Sequence, residues 1–276
     1  MNPRKTILIT GCSSGIGYHC AWGLRERGYR IFATARKYED VERLQAEGFE
    51  AYELDLANSV SINAAVAQVL AATGGELYGL FNNGAYGQPG AVEDLSRDML
   101  RTQFETNLFG THELANLVIP AMRRQGYGRI VQNSSVLGFA AMRFRGAYNA
   151  SKFALEGLSD TLRLELAGSG VYVSLVEPGP ILSRFRENSL DIYRRTIDAE
   201  ASVHRDQYRA MLARLETEGP AAPFTLGPEA VLKKVIMALE AKRPRARYYV
   251  TFPTYLFGAL KRVLPDRAMD WVLAKI

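Results

Sequence analysis

The feature that most constrains this chain is a repeated alternation of short, β-branched apolar runs with longer helical patterns. The apolar runs are continuous, which is typical of strands that are covered on both faces. Strand–helix repetition of this kind favours a doubly wound parallel sheet with right-handed crossovers, an α/β fold with helices on both faces. We predict strands at 5–10, 29–34, 49–54, 77–82, 128–135, 171–178 and 247–252, and helices near 15–27, 37–47, 58–72, 97–124 and 149–167.

A glycine-rich turn follows the first predicted strand and opens the first predicted helix, with the spacing Gly11-x-x-x-Gly15-x-Gly17. Glycines let a backbone turn sharply, approach a pyrophosphate without Cβ clashes and direct a helix N-terminus at the negative charge. In this context the turn predicts dinucleotide binding on a Rossmann-type sheet, with a purely structural turn as the alternative. The residues expected to contact the cofactor here are Gly11, Ser13, Ser14, Gly15, Ile16 and Gly17.

Tyr148 and Lys152 are four residues apart in a predicted helix, so they share one face. A tyrosine is a poor acid or base near neutral pH unless its phenolate is stabilised, and a cation one turn away supplies that stabilisation. The pair by itself also fits two residues that merely line a partly buried surface. The other motifs of the chain favour proton transfer.

Composition excludes several classes of function. The 276 residues are 47% hydrophobic and 23% charged, as in ordinary globular enzymes, and no apolar run approaches a membrane span. Two cysteines, Cys12 and Cys20, and no signal-peptide pattern predict a reducing, cytoplasmic setting. The net charge of +5 favours anionic ligands or membrane surfaces, but no nucleic-acid motif is present. The three histidines lack ligand spacing, so no metal is expected.

The motifs "TGCSSGIG", "NNGAYG" and "YNASK" occur in this order, and the chain resembles the short-chain dehydrogenase/reductase family over nearly its whole length. "YNASKFALEGLSDTLRLEL" and "VSLVEPGPILSRF" are most similar to its NADP-dependent aldehyde, retinol and 17β-hydroxysteroid branch. "GPEAV" and the C-terminal "LKRVLPDRAMDWVL" resemble bacterial aldehyde reductases of that branch. The resemblance implies a single catalytic domain over residues 1–276 and a nicotinamide cofactor.

The resemblance also implies catalytic roles. Tyr148 matches the acid/base of the family and Lys152 its lysine partner. Ser135, thirteen residues before Tyr148, matches the serine that orients the carbonyl, with Ser134 as the alternative. Asn107 matches the asparagine that supports a proton-relay water.

Further cofactor contacts are implied at the ends of other strands. Asp55 matches the residue near the adenine ring, and the Pro178–Pro180 turn matches the one beside the nicotinamide. The additional contacts expected in these segments are Leu56, Asn83, Gly84, Pro178 and Gly179. The family usually reads Asn-Asn-Ala-Gly where this chain has Gly84-Ala85, so a positive φ at the second small residue would strain Ala85.

The end of the second strand bears on which cofactor is used. NAD-preferring sites usually place a carboxylate there, which would repel a 2′-phosphate. By resemblance Ala35 stands at that acidic position and Arg36 follows it, with guanidinium donors that suit a phosphate. Ser14 offers a further hydroxyl. The sequence predicts NADP(H), and the alternative is that Arg36 and Lys37 only begin a solvated helix.

The segment at about 184–225 is charged and helical, and it follows a strand at the edge where such sheets bind ligands. Two interpretations remain open, a substrate lid and extra helices packed on the flank. Apolar residues that follow the strands at this edge are candidates to face a lipophilic substrate, although they also suit ordinary packing. They are Tyr86, Leu137, Phe139, Met142, Phe144, Leu182 and Phe185.

The C-terminal extension at about 253–276 mixes aromatic, aliphatic and basic residues and suits core or dimer packing or a weak peripheral membrane contact. The family often pairs its long helices into homodimers or homotetramers. We expect an NADPH-preferring oxidoreductase that interconverts lipophilic aldehydes or ketones and their alcohols. The alternative is a non-catalytic, dinucleotide-sensing protein on the same fold, which would need the glycine turn but not the proton donor.

Overall fold

The computed structural model describes residues 5–217, 219–220 and 222–275, and within them it contains a seven-stranded sheet in which all pairs of strands are parallel. The strand order is β3-β2-β1-β4-β5-β6-β7, so the direction of winding reverses between β1 and β4. Ligands of such sheets bind at this reversal, beyond the carboxyl ends of the strands. The strands are β1 (Thr6–Ile9), β2 (Arg30–Ala35), β3 (Glu50–Glu53), β4 (Gly79–Asn82), β5 (Gly128–Asn133), β6 (Val171–Glu177) and β7 (Arg247–Tyr249).

Helices cover both faces of the sheet, as predicted. The α-helices are α1 (Gly15–Glu26), α2 (Tyr38–Ala46), α3 (Ser59–Ala72), α4 (Arg97–Phe104), α5 (Gly110–Gln125), α6 (Gly146–Glu165), α7 (Phe185–Thr196), α8 (Arg205–Glu216), α9 (Glu229–Glu240), α10 (Phe252–Val263) and α11 (Asp266–Leu273). Side chains of α1, α2 and α9 belong to one hydrophobic core, and side chains of α3, α5 and α6 belong to the other.

The strands in the middle of the sheet, such as β1 and β4, bury both of their faces. In β1, Ile7 and Ile9 point into the core under α1, whereas Leu8 points into the core under α5. Successive side chains of a strand alternate between faces, so a strand between two helical layers needs apolar residues at every position. This requirement explains the continuous apolar runs in the sequence and confirms the doubly wound fold.

Two predicted helices differ from the observed ones. The stretch predicted as one helix over 97–124 is divided by a single π-helical turn, Glu105–Phe109. The helix predicted at 149–167 begins earlier, at Gly146, so that Tyr148 lies in its first turn. Single π-turns inside helices frequently mark functional sites, because they redirect one side chain out of the regular spiral.

The segment predicted as a lid or a flank consists of α7 and α8. Beyond β7, α10 and α11 bury Thr254, Gly258 and Met269 but leave Val263 and Trp271 exposed. The C-terminal extension therefore packs through one face, while another carries apolar side chains in contact with solvent. In the described part of the chain no helix combines the length and apolar character needed to cross a membrane.

Candidate active site

The glycine turn between β1 and α1 is tightly packed backbone. A Cβ atom at Gly17 would lie 2.2 Å from the carbonyl oxygen of Gly11, and Gly11 itself has φ +70°. The first turn of α1 carries no acidic residue, and the hydroxyl of Ser14 at its N-cap makes no capping hydrogen bond. The turn thus leaves backbone N–H groups, a helix N-terminus and a free hydroxyl on one concave surface, which fits an anionic pyrophosphate.

Arg43 supports this turn and was not anticipated from the sequence. Its Nη2 donates a hydrogen bond of 2.7 Å to the backbone carbonyl of Ser13, and its guanidinium also pairs with Asp40 and Glu47. In the sequence, Arg43 is indistinguishable from an ordinary surface arginine of a helix. Its contact with the turn depends on how α2 packs beside it. Ser13 lies in this turn, and Gly15 and Ile16 are the first two residues of α1.

The ends of β1 and β4 are joined by side-chain hydrogen bonds. The Thr10 hydroxyl accepts from the backbone N–H groups of Asn83 and Gly84, at 2.9 and 2.8 Å. The Asn83 side chain donates in return to the Thr10 and Gly11 carbonyls. Among the described non-glycine residues, positive φ occurs at Phe144 and Phe224 but not at Ala85. The strain predicted at Ala85 is therefore absent, because this backbone keeps a negative φ there.

The end of β2 carries no carboxylate. Ala35 is its last, buried residue, and the exposed Arg36 that follows forms no hydrogen bond or ion pair with the described residues. At the end of β3, the Asp55 carboxylate accepts from the backbone N–H of Ala57 at 2.9 Å, and Leu56 is buried beside Gly84. These residues line the same sheet edge as the glycine turn.

Tyr148 is buried in the first turn of α6. Burial raises the pKa of its phenol to about 12, which is opposed by hydrogen bonding with Ser135 and by the positive charge of Arg145. Ser135 also accepts a hydrogen bond from the backbone N–H of Leu137. The hydroxyl of Ser134 instead points toward Gly138 and Glu156. Of the two serines considered from the sequence, the structure brings Ser135 to Tyr148.

Lys152 lies one helical turn beyond Tyr148, with its ammonium nitrogen 5.7 Å from the centre of the tyrosine ring. This nitrogen donates a hydrogen bond of 2.7 Å to the backbone carbonyl of Asn133 at the end of β5. Burial lowers the pKa of Lys152 to about 8, although the Glu156 carboxylate favours the charged form. The shared face predicted for the pair is thus realised.

Asn107 lies in the π-helical turn and is almost fully buried. Its side chain accepts from the backbone N–H of Tyr86 and donates to the carbonyl of the same residue, at 3.1 and 2.9 Å. It also donates to the Ser151 hydroxyl, at 3.2 Å. Asn107 therefore ties the loop after β4 to the helix that carries Tyr148.

The turn after β6 also reaches the site. The Pro178 carbonyl accepts a hydrogen bond of 2.8 Å from the backbone N–H of Val136, next to Ser135. A Cβ atom at Gly179 would lie 2.2 Å from the Thr251 hydroxyl oxygen, so only glycine fits against that threonine. Thr251 is a further supporting residue that no sequence motif indicated.

The candidate substrate-facing residues differ in whether they lie close to Tyr148. The Phe185 ring packs edge-on against Tyr148, with ring centres 5.2 Å apart. Phe144 packs instead against Tyr208 of α8. The structure does not bring Phe139 to Tyr148, because its ring stacks on Tyr249 and its carbonyl accepts a hydrogen bond from Lys261 of α10. The remaining candidates, all partly or fully exposed, are Tyr86, Leu137, Met142 and Leu182.

The base of α7 and α8 is fixed by polar contacts. The fully buried Tyr208 donates to Asp94 at 2.5 Å and accepts from the backbone N–H of Ala91 at 2.8 Å. Tyr193 of α7 packs edge-on against it. These two helices thus rest on the loop after β4, while Phe185 at the start of α7 covers the phenol of Tyr148.

Comparisons with known proteins agree with this geometry. The family described as short chain dehydrogenase matches residues 5–192. YbbO of Escherichia coli K12, described as an uncharacterized oxidoreductase, is 44% identical over 98% of this chain and 94% of that protein. Human 17-beta-hydroxysteroid dehydrogenase type 1 is 34% identical over 90% of this chain and 78% of its own length. A short chain dehydrogenase/reductase from Burkholderia phymatum, solved with NAD, has a TM-score of 0.76 at 28% identity and covers 94% of this chain and 92% of that one.

Proposed function

The chain belongs to the short-chain dehydrogenase/reductase family, and we propose that it is an NADPH-preferring oxidoreductase that interconverts lipophilic aldehydes or ketones and their alcohols. The observation that carries the proposal is the buried Tyr148 phenol, with the Ser135 hydroxyl beside it and the Lys152 ammonium one helical turn away. A protein that only senses a dinucleotide needs the glycine turn but not the proton donor.

Tyr148 is the proton donor of the proposed reaction. A carbonyl that accepts a hydride develops negative charge on its oxygen, and it needs a proton within hydrogen-bonding reach. The phenol is protonated across the neutral range because burial raises its pKa to about 12. In the direction of reduction it delivers that proton to the oxygen, and in the direction of oxidation its phenolate receives the proton of the alcohol.

Ser135 and Lys152 assist this transfer. The Ser135 hydroxyl is a second donor for the carbonyl oxygen, which stabilises the charge that develops there. The Lys152 ammonium favours the phenolate that remains after the proton has left. Asn107 holds the loop at Tyr86 and the Ser151 hydroxyl in place, so it positions the substrate side of the site against α6.

A nicotinamide dinucleotide supplies the hydride when it is bound. The residues that would hold its phosphates are those of the glycine turn, where a Cβ at Gly17 would collide with the Gly11 carbonyl. Asp55, Leu56, Asn83 and Gly84 would line the adenosine side, and Pro178 and Gly179 the nicotinamide side. The first turn of α1 carries no acidic side chain that would repel the phosphates, which supports their binding at the glycine turn.

Arg36 supports a preference for NADPH over NADH. It follows β2, where the adenosine ribose lies in sheets of this topology, and it has no hydrogen-bonding partner among the described residues. Its guanidinium suits a 2′-phosphate, and the buried Ala35 supplies no carboxylate to repel one. The Burkholderia relative was solved with NAD, so the preference rests on these two residues and on the free Ser14 hydroxyl.

The segment at about 184–225 is the proposed substrate lid. Phe185 packs on the Tyr148 ring and Ser189 is buried near Gly87, so α7 covers the phenol from the solvent side. An apolar cover of this kind favours lipophilic substrates and excludes water from the reacting carbonyl. We further propose a cytoplasmic homodimer or homotetramer formed through the long helices at about 97–124 and 149–167, of which α6 exposes Phe153, Leu158 and Leu164.

The proposal is tested by mixing the purified protein with NADPH or NADH and a panel of aliphatic and aromatic aldehydes and ketones. We expect oxidation of NADPH that depends on the carbonyl compound and is faster than oxidation of NADH. Binding of NADPH without turnover of any carbonyl, or of any alcohol with NADP⁺, would support the dinucleotide-sensing alternative.

A further inference from the structure

Arg145 is a buried cation beside the proposed proton donor. It is the N-cap of α6, three residues before Tyr148, and only 8% of its surface is exposed. The positive charge of Arg145 acts on the Tyr148 phenol and favours its ionised form, so the guanidinium lies near the phenol. Its guanidinium forms no hydrogen bond or ion pair with any of the described residues. Burying a charge without a partner is costly, and proteins rarely tolerate it outside functional sites.

Arg214 of the lid lies close enough to Arg145 for their charges to interact, and Arg186 of the lid stands in the same relation to Arg214. Arg214 of α8 contacts the Met142 sulfur with its Nη1 at 3.8 Å. Arg186 follows Phe185 in α7; its Nη2 donates to the backbone carbonyls of Thr217 and Gly219, and its buried Nε has no partner in the described structure. The three guanidiniums therefore come from the catalytic helix and from both helices that cover it.

The three positive charges repel one another. Burial and the charge of Arg214 lower the pKa of Arg145 to about 10. Partial desolvation and the charge of Arg186 lower the pKa of Arg214 in the same way. Carboxylates on the same helices pair elsewhere, Glu216 with Arg194 and Glu187 with Arg184. The three arginines of this cluster therefore have no anionic partner among the described residues.

We propose that Arg145 and Arg214, with Arg186 behind them, bind an anionic group of the carbonyl substrate, so that the preferred substrates are oxo-acids or oxo-phosphates with an apolar chain. The inference rests on the proposed function and names its substrate class. The carbonyl meets Tyr148 and Ser135, the apolar chain lies along Phe185, and the anion lies between the guanidiniums. Arginine suits this role, because its planar group of donors matches carboxylate and phosphate oxygens.

The test compares substrates that share an aldehyde and an alkyl chain but differ in the charged or neutral group at the other end. With NADPH, kcat/KM is measured for 6-oxohexanoate, its methyl ester and 6-oxohexyl phosphate, together with the shorter and longer members of each series. We expect the wild-type protein to prefer an anionic member over the ester of the same length by at least about tenfold, because a hydrogen bond to a charged group contributes about 10- to 100-fold. The preferred anion distinguishes a carboxylate from a phosphate substrate.

Substitutions of the arginines test whether they cause the preference for anionic substrates. In Arg145→Met and Arg214→Met the ratio of kcat/KM for the anion to that for the ester should fall by about 10- to 100-fold. Arg209→Met is the matched control, because Arg209 is an exposed arginine of α8 that pairs with Asp206. Adipate, which has no carbonyl to reduce, provides a readout without turnover: it should raise the thermal unfolding midpoint of the NADP⁺-bound wild type and not that of Arg145→Met.

The outcomes separate this inference from the proposed function. If no carbonyl is reduced at all, the proposed function fails. If neutral carbonyls are reduced but anions are not preferred, or if both arginine variants keep the wild-type ratio, only the anion site is overturned. A change confined to the KM for NADPH would assign Arg145 to the cofactor and would also overturn it. Because Arg214 is exposed, its variant keeps the test valid even if Arg145→Met does not fold.

Discussion

The ammonium nitrogen of Lys152 lies 2.7 Å from the backbone carbonyl oxygen of Asn133. The Asn133 side chain donates to the Asn83 side chain at 2.9 Å, which in turn donates to the backbone carbonyls of Thr10 and Gly11. One chain of hydrogen bonds therefore runs from α6 across the ends of β5, β4 and β1 to the glycine turn. It couples the position of the lysine to the loop proposed to hold the cofactor.

Burial of Lys152 should be visible in the pH dependence of stability. Its pKa is lowered from 10.5 to about 8 in the folded protein. The unfolded chain therefore binds more protons between these pH values, and the free energy of unfolding should rise with pH through that window, by at most about 3 kcal/mol from this group. Urea unfolding of the cofactor-free protein between pH 7 and 10.5 measures the effect.

Lys152→Met supplies the comparison, since all other titrating groups are common to both proteins. The difference in free energy of unfolding between wild type and variant should change through the window from pH 8 to 10.5. Parallel curves would mean that Lys152 titrates in the folded protein as it does in the unfolded chain.

Tyr148→Phe removes the proposed proton donor but keeps the ring that packs on Phe185. We expect reductase activity to fall by ~10²–10⁴, as is typical for loss of an acid–base group, with NADPH binding largely retained. Ser135→Ala should also impair turnover, because the carbonyl oxygen loses its second donor. Steady-state rates and titration of NADPH fluorescence measure the two effects separately.

Tyr172→Phe is the matched control, because Tyr172 lies near the start of β6, at the end of the strand remote from the site, and is exposed. It should leave the rate unchanged. Turnover by Tyr148→Phe close to that of wild type would exclude Tyr148 as the acid/base.

Much of the fold and the site could be predicted from the sequence, because both depend on local patterns. Continuous apolar runs located all seven strands, and the four-residue spacing placed Tyr148 and Lys152 on one face. The π-helical turn at Asn107 could not be predicted, since it is coupled to hydrogen bonds with Tyr86, a residue of another element. The sequence does not single out Arg145 for a related reason: its burial and its lack of a partner among the described residues depend on where α7 and α8 pack.

Ala35→Asp combined with Arg36→Ala tests the cofactor preference. The change removes a positive charge proposed to bind the 2′-phosphate and adds a negative charge that repels it. We expect wild type to prefer NADPH and the double variant to lose or reverse that preference, with a change in the ratio of kcat/KM of at least about tenfold. Rates at saturating carbonyl substrate with each cofactor provide the ratio.

Lys37→Ala is the control, because Lys37 is the equally exposed neighbour of Arg36. If it shifts the ratio as much as the double variant does, the effect comes from general surface charge. A wild-type preference for NADH, or a double variant with unchanged selectivity, would show that Arg36 does not read the phosphate.

The lid hypothesis predicts a change in hydrogen exchange that is confined to one region. The segment from Arg184 to Thr217 rests on the loop after β4, where Tyr208 donates a hydrogen bond to Asp94. At the start of this segment, Phe185 contacts Tyr148. If α7 and α8 close over bound ligands, their backbone amides should become more protected when NADP⁺ and a lipophilic alcohol bind together than when NADP⁺ binds alone. Amides of α3, which packs against α5 and β3, should not respond. Phe185→Ala should weaken the response of α7, because the ring that packs on Tyr148 is lost. Exchange in α7 and α8 that is the same with NADP⁺ alone and with NADP⁺ and the alcohol would instead identify these helices as a fixed flank of the sheet.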